Sequence, residues 1–512
     1  MTITLKDSGL TLDDVRAFLG DDAEVETHKS VIKRLTKVRE YVDEKLASHE
    51  PFYGINTGVG LLANKRISDE ELDKLQENLI ISHAVGVGDA FADDIVRLSM
   101  LLRASVLAMG YSGVRPELLE LLVACTNKGV LPIIPSQGSV SASGDLAPLA
   151  HIALALIGRG EVRYQGECMP AGDALRKAGL EPIRLKAKEG LALINGTQVT
   201  CAVALQTFFA AESLAKHADI AGALSIEGER ASQRPFDKRI HKLRPYPGQM
   251  ATADNVRRLI EGSGIIADHA ECTRVQDPYS FRCIPQVHGA VKDVIANVRE
   301  TIERELKSCT DNPLIFEADD DIISGGNFHA ESLGFAMDSL ASAIAELGSM
   351  SERRVAILNA PLDEELTTKF LVKHSGLNSG FMIPHVTMAA LVSENKTLAH
   401  PATVDTVPTS GGQEDHVSMA LIAARKAFSI AHNVENILVI ELLAGCQAID
   451  LAQNGKEPGK GTKSVYDVIR TKVSTMEGDR EFRLDIDACR KLVEKGALID
   501  TSEHAVGPIK LQ

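Results

Sequence analysis

The sequence of 512 residues lacks most of the patterns by which metalloenzymes, hydrolases and nucleic-acid binders are read. Its eight cysteines, Cys125, Cys168, Cys201, Cys272, Cys283, Cys309, Cys446 and Cys489, form no Cys-x-x-Cys pair. That excludes a paired-cysteine zinc site and fits free thiols in a reducing compartment. The 15 histidines include no His-Glu-x-x-His and no clustered His/Asp spacing, so no metal is expected. Ser143 has no Gly-x-Ser-x-Gly elbow around it. Gly459-Lys460 is followed by Gly461, where a phosphate-binding loop needs Ser or Thr. Basic residues are not in excess: 55 Lys and Arg against 70 Asp and Glu leave a net charge of −15, which disfavours nucleic acid or an anionic membrane as partner. No positive leader with an apolar core opens the chain, and the uncharged stretch from Ser375 to Ser393 is interrupted by Asn, Pro, His, Gly and Ser. A cytoplasmic protein without a membrane span is the expectation.

Apolar residues at 44% and charged residues at 24% suit a soluble chain able to bury a large core, and no Pro/Gly/Ser-rich linker divides the central region. Helical periodicity dominates beyond about residue 200. Val291, Val294, Ile295, Val298, Ile302 and Leu306 share a face, and Leu333, Met337, Leu340, Ile344 and Leu347 repeat the pattern. From Val417 to Leu451 the apolar run meets no proline and only Gly445 as a breaker, enough for a helix roughly 50 Å long at ~1.5 Å per residue. The predicted fold is therefore mainly α: a compact N-terminal head over 1–110, carrying the glycine-rich Tyr53 loop, then an elongated bundle of long helices over 111–512. Gly455 to Lys463 reads as an exposed loop before a helical tail.

The most informative stretch is Gly138-Ser139-Val140-Ser141-Ala142-Ser143-Gly144-Asp145. Without a Cβ, Gly144 lets its amide nitrogen approach the carbonyl carbon of Ala142, so a five-membered ring can close. Loss of water from the ring and from the Ser143 side chain then leaves an exocyclic methylidene, an electrophile attractive to amines. Alone, Ala-Ser-Gly is a common loop tripeptide, and its neighbours decide the reading. Ala142-Ser143-Gly144-Asp145-Leu146-Ala147-Pro148-Leu149 resembles the signature of the aromatic amino acid ammonia-lyases, whose prosthetic group is 4-methylideneimidazole-5-one. The resemblance extends from Tyr53 to about residue 450. It includes Tyr53-Gly54-Ile55-Asn56-Thr57-Gly58, Ser82-His83-Ala84, Asn195-Gly196-Thr197, Gln276-Asp277-Pro278-Tyr279-Ser280-Phe281-Arg282, Gly325-Gly326-Asn327-Phe328-His329 and Gln413-Glu414-Asp415-His416.

The resemblance implies that Ala142, Ser143 and Gly144 form the prosthetic group autocatalytically, with no external cofactor, and that the protein is a homotetramer with shared active sites. It implies Tyr53 as the base for the substrate β-proton. A free phenol titrates near ~10, so the site has to favour phenolate. Arg282 suits the substrate carboxylate, because a guanidinium offers a planar pair of donors. Tyr279 supports the ring and proton traffic, Gln276 and Asn195 supply amide hydrogen bonds, and Phe328 packs either on the ring or substrate or in the core. His329 and His416 carry no assigned role.

His83 and Glu414 bear on the substrate. Ser82-His83 resembles the members that act on histidine rather than the Phe-Leu pair of many phenylalanine lyases, and Glu414 can pair with an imidazole N–H, where a phenyl ring offers nothing. The expected reaction is elimination of ammonia from L-histidine to trans-urocanate, the first step of histidine degradation. A tyrosine or phenylalanine lyase, or an aminomutase, is the alternative within the family; a helical scaffold without chemistry is the alternative outside it. Departures from the family pattern are Ser141 for a glycine, Val59 for an aromatic, and Gly411-Gly412 for Ala-Asn. The Met-Pro-x-Lys loop of fumarase-type lyases is absent.

Overall fold

The computed structural model describes residues 1–20, 23–48, 50–269, 274–362, 368–452 and 454–512, so Cys272 lies outside the described residues. The fold is mainly α, as predicted. The periodic segments form the helices Ile284–Glu305 and Glu331–Leu358, joined by Gln198–Gly228 and Ala420–Ala452 as the other long ones. Ala420–Ala452 has 33 residues, or about 50 Å at ~1.5 Å each. It starts later than the apolar run because Met419 sits at φ 53 and gives its N–H to the Val140 carbonyl. No helix of the described residues is long and apolar enough to cross a membrane. The seven described cysteines are free thiols, four of them buried.

The chain divides into two compact units, the first made of Met1–Gln206, Arg299–Met337 and Pro401–Arg425. Its strands are short: Thr2–Leu5 pairs in parallel with Glu24–Thr27, Val87–Ala90 antiparallel with Pro135–Gln137, and Leu314–Phe316 with Asp321–Ile323. A three-stranded sheet joins Leu131–Pro132, Glu161–Tyr164 and Glu167–Pro170. Its hairpin turns at Gln165-Gly166, with φ 53 and 82. Two positive φ values match the twist of the flanking strands. Helix Asp93–Ala108 is the buried spine of this unit, with even Arg103 fully enclosed.

The second unit comprises Thr207–Val298, Asp338–His400 and Lys426–Gln512. Paired charges stand in its core. Asp219 accepts from His288 Nδ1 at 2.9 Å, Lys292 Nζ at 2.5 Å and Asn255 Nδ2 at 2.8 Å, and Arg354 Nε meets Glu441 at 2.5 Å. The expected exposed loop from Gly455 to Lys463 is only partly that. Helix Lys460–Arg470 begins inside it, and Pro458, Gly459 and Gly461 are buried. A Cβ on Gly459 or Gly461 would strike the backbone of Ile260 or Leu259. The glycines serve close approach between helices rather than flexibility.

Candidate active site

In the first unit the Ala142-Ser143-Gly144 turn lies just before helix Leu146–Leu156 and is held from several sides. Gly144 has φ +73 and bridges to Gly196, whose carbonyl accepts the Asp145 N–H at 2.6 Å. A Cβ on Gly144 would overlap the Gly196 backbone, so only glycine fits. Ser139 Oγ donates to the Gly144 carbonyl at 3.3 Å and accepts the Ser141 N–H at 3.0 Å. Ser141 itself sits at φ 55, which is why a glycine suits this position. Here it is kept there by Leu421 N–H on its hydroxyl at 3.2 Å and by Ser418 Oγ on its carbonyl at 3.4 Å.

Ser143 Oγ donates to Glu414 Oε1 at 2.9 Å, joining residues far apart in sequence. The other oxygen, Oε2, accepts from Thr409 Oγ1 at 2.9 Å and from Ser410 Oγ. Three hydroxyl donors thus converge on one half-buried carboxylate, which orients it firmly. The turn Gly60–Leu62 packs on Ser410–Gly412 and brings the Tyr53 loop to the same place. Tyr53 OH accepts the Gly60 N–H at 3.3 Å, and Asn56 pins the loop by accepting Phe52 N–H and donating to the Glu50 carbonyl, both at 2.7 Å. His83 ends helix Leu72–His83. Its Nδ1 gives a proton to the Leu79 carbonyl at 2.7 Å, which leaves the Nε2 lone pair as acceptor. Burial holds the His83 imidazole below its ordinary pKa, against the opposing pull of the Leu79 carbonyl and the Glu414 charge.

Asn195 closes the short helix Glu189–Ile194. Its Nδ2 donates to the Asn312 carbonyl at 3.0 Å, while its buried Oδ1 has no hydrogen-bond partner among the described residues. Asn312 also receives Lys188 Nζ at 3.4 Å, gives its Nδ2 to Ser324 Oγ at 3.2 Å and takes the Gly325 N–H at 2.7 Å. Asn195 is thereby tied to the Gly325–Phe328 segment, where Phe328 is half-buried rather than a core residue.

Sequence reasoning missed the charges beneath this layer. Lys188 and Asp311, both fully buried, pair at 2.8 Å. Arg103 donates to the Asn195 carbonyl at 3.0 Å and to Gln198 Oε1 at 2.7 Å. The legible signal was an arginine inside the apolar run Leu101-Leu102-Arg103-Ala104, a position that demands a buried partner. Asp145 was also left without a role. It caps the start of helix Gln198–Gly228 by accepting Thr200 N–H at 2.7 Å and Thr200 Oγ1 at 2.6 Å, and burial pushes its carboxyl up to about 6.

Gln276, Tyr279 and Arg282 belong to the second unit. Pro278 starts the single turn Tyr279–Arg282, and the Arg282 guanidinium lies 4.4 Å from the Tyr279 ring centroid, a cation–π contact. Tyr279 is 69% exposed, Gln276 is exposed, and Arg282 Nε is buried with no hydrogen-bond partner among the described residues.

A helical scaffold presenting a serine on a glycine-locked turn against a carboxylate accords with the class that sequence likeness shows, the carbon–nitrogen lyases that act on amino acids. The profile of aromatic amino acid lyases matches residues 10–471, and the chain belongs to that family. Among relatives, the histidine ammonia-lyase of Alkaliphilus oremlandii (strain OhILAs) is 49% identical over 497 residues, 97% of each chain. Among solved structures, histidine ammonia-lyase from Trypanosoma cruzi aligns with a TM-score of 0.89 at 40% identity, covering 99% of this chain and 96% of that one. Tyrosine aminomutase from Streptomyces globisporus aligns with a TM-score of 0.92 at 36% identity, covering all of both chains.

Proposed function

We propose that this chain is a histidine ammonia-lyase, converting L-histidine to trans-urocanate and ammonia as the opening step of histidine degradation. The observation that carries the reading is Glu414 on Ser143 at 2.9 Å, with the Gly144 backbone locked where a side chain cannot follow. The residues fit a 4-methylideneimidazole-5-one group derived from Ala142, Ser143 and Gly144. The positive φ at Gly144 and the Cβ-free space against Gly196 both stand at this turn. When formed, the group supplies an electrophile for the substrate amine.

The chain's own residues then do the rest. Loss of the Ser143 hydroxyl as water deprives Glu414 Oε1 of its partner and leaves it to accept an imidazole N–H, a pairing that a phenyl ring cannot offer. The His83 Nε2 lone pair is a further acceptor for the ring. Tyr53, whose oxygen accepts the Gly60 N–H, removes the β-proton. Arg282 takes the substrate carboxylate through its paired donors, Tyr279 and Gln276 assist it, Asn195 supplies an amide hydrogen bond, and Phe328 covers the ring.

The exposed Tyr279 beside the unpartnered Arg282 Nε supports a homotetramer in which neighbouring subunits complete each site. A tyrosine aminomutase is the second reading, favoured by the full-length likeness to the Streptomyces enzyme. A panel of L-histidine, L-tyrosine and L-phenylalanine tests the assignment. Urocanate from L-histidine at the highest kcat/KM supports it, and β-tyrosine or a cinnamate as main product refutes it.

A further inference from the structure

His329, Glu331 and His416 face one another in the first unit, with one ligand atom from each lying within 4.8 Å of the others. Glu331 Oε2 is 3.8 Å from His329 Nδ1 and 3.9 Å from His416 Nε2. Both separations are too long for hydrogen bonds. Glu331 Oε2 is nonetheless buried and has no hydrogen-bond partner among the described residues, a costly arrangement for a carboxylate oxygen. The two imidazole rings are near parallel, 5° apart in plane with centroids at 5.8 Å. His329 Nε2 faces the His416 carbonyl at 3.4 Å; a carbonyl only accepts, so Nε2 carries the proton and the Nδ1 lone pair points toward Glu331.

We propose that these three side chains bind one divalent transition-metal ion of the zinc class. Two neutral imidazoles and a carboxylate are a common donor set for such ions, and bonds of ~2.1 Å at the tetrahedral angle place ligand atoms about 3.4 Å apart. The two separations from Glu331 Oε2, 3.8 and 3.9 Å, stand within about half an ångström of that value, and the two imidazoles, whose ligand atoms lie within 4.8 Å of each other, close the rest by side-chain rotation. A backbone carbonyl fixing the tautomer of a ligating histidine is the outer support such sites carry. Three protein ligands leave a position for water. The ion links Glu331, at the start of helix Glu331–Leu358, to the segment between Glu414 and Met419, and so braces the carboxylate that meets Ser143.

Sequence spacing concealed the site: His329-Ala330-Glu331 is too short to read as a ligand pair by itself, and His416 comes from a distant loop. The test is direct binding to chelator-stripped holoenzyme, which does not depend on which substrate the enzyme takes. Cobalt(II) is titrated in and followed by its visible ligand-field bands, and zinc by calorimetry. The expected wild-type result is one equivalent per chain, with nitrogen/oxygen rather than thiolate spectra and a melting temperature that rises with zinc concentration. His416→Ala, an exposed position, abolishes that equivalent, and Glu331→Gln weakens it at least tenfold. The proposal is overturned if the wild type takes up no tight equivalent, if the bands are those of thiolate ligands, or if His416→Ala binds as the wild type does.

Discussion

Glu414→Gln isolates the charge of the carboxylate while keeping its shape. In the structure Oε2 receives the Thr409 and Ser410 hydroxyls, which maturation leaves in place, so rotating hydroxyls can adapt to an amide and the side chain stays where it is. What the amide loses is the charged hydrogen bond to an imidazole N–H, a contact contributing about 1.5–3 kcal/mol. At ~1.4 kcal/mol per factor of ten, kcat/KM for L-histidine falls roughly 10- to 150-fold. The assay is initial-rate urocanate formation, alongside intact mass to show that the variant remains two waters lighter than the encoded chain. A matured variant within about twofold of wild-type kcat/KM refutes the reasoning. So does a variant whose mass deficit is gone, since Glu414 would then act in maturation instead of on the substrate.

Ser143→Ala removes the source of the methylidene: turnover disappears while far-UV circular dichroism and the melting temperature stay as in the wild type, and residual turnover near wild type contradicts the assignment. Lys188→Met strands Asp311 as an unpaired buried charge and costs about 3–5 kcal/mol, read as a lower urea midpoint that Lys188→Met/Asp311→Asn largely restores. An unmoved midpoint in the single variant would show the pair to be dispensable. His217, fully buried, has its pKa lowered to about 4 by desolvation, and its Nδ1 donates to the Ser213 carbonyl. Because the unfolded chain binds this proton more readily, stability is intact above about pH 6.5 and declines by ~1.4 kcal/mol per unit as pH falls toward 4. Denaturation of wild type and His217→Gln across that range gives a steeper slope for the wild type, and parallel slopes would remove His217 as the cause.

The helices and the chemical centre were readable because their signals are local. Leu333, Met337, Leu340, Ile344 and Leu347 lie on one face of a single helix, and Ala142-Ser143-Gly144 carries its reactivity within three residues. The support beneath the site was not readable, because each member acquires meaning only from a distant partner. Lys188 needs Asp311, Asn195 needs Asn312, and Glu331 needs His416. Gly459 and Gly461 look like flexible-loop residues until helix Pro247–Leu259 is known to press against them. The hairpin at Gln165-Gly166 escaped for the opposite reason: its glycine is ordinary, and glutamine is not the residue expected at a positive φ. Ser141 is likewise a non-glycine in a glycine position, made tolerable by Ser418 and Leu421.

The central claim is that the backbone at 142–144 becomes the electrophile. Proteolytic digestion of active protein followed by mass spectrometry of the peptide spanning Ala142 to Gly144 tests it most directly. The account predicts a peptide lighter by two waters in protein that forms urocanate from L-histidine; a peptide of full encoded mass in equally active protein contradicts it.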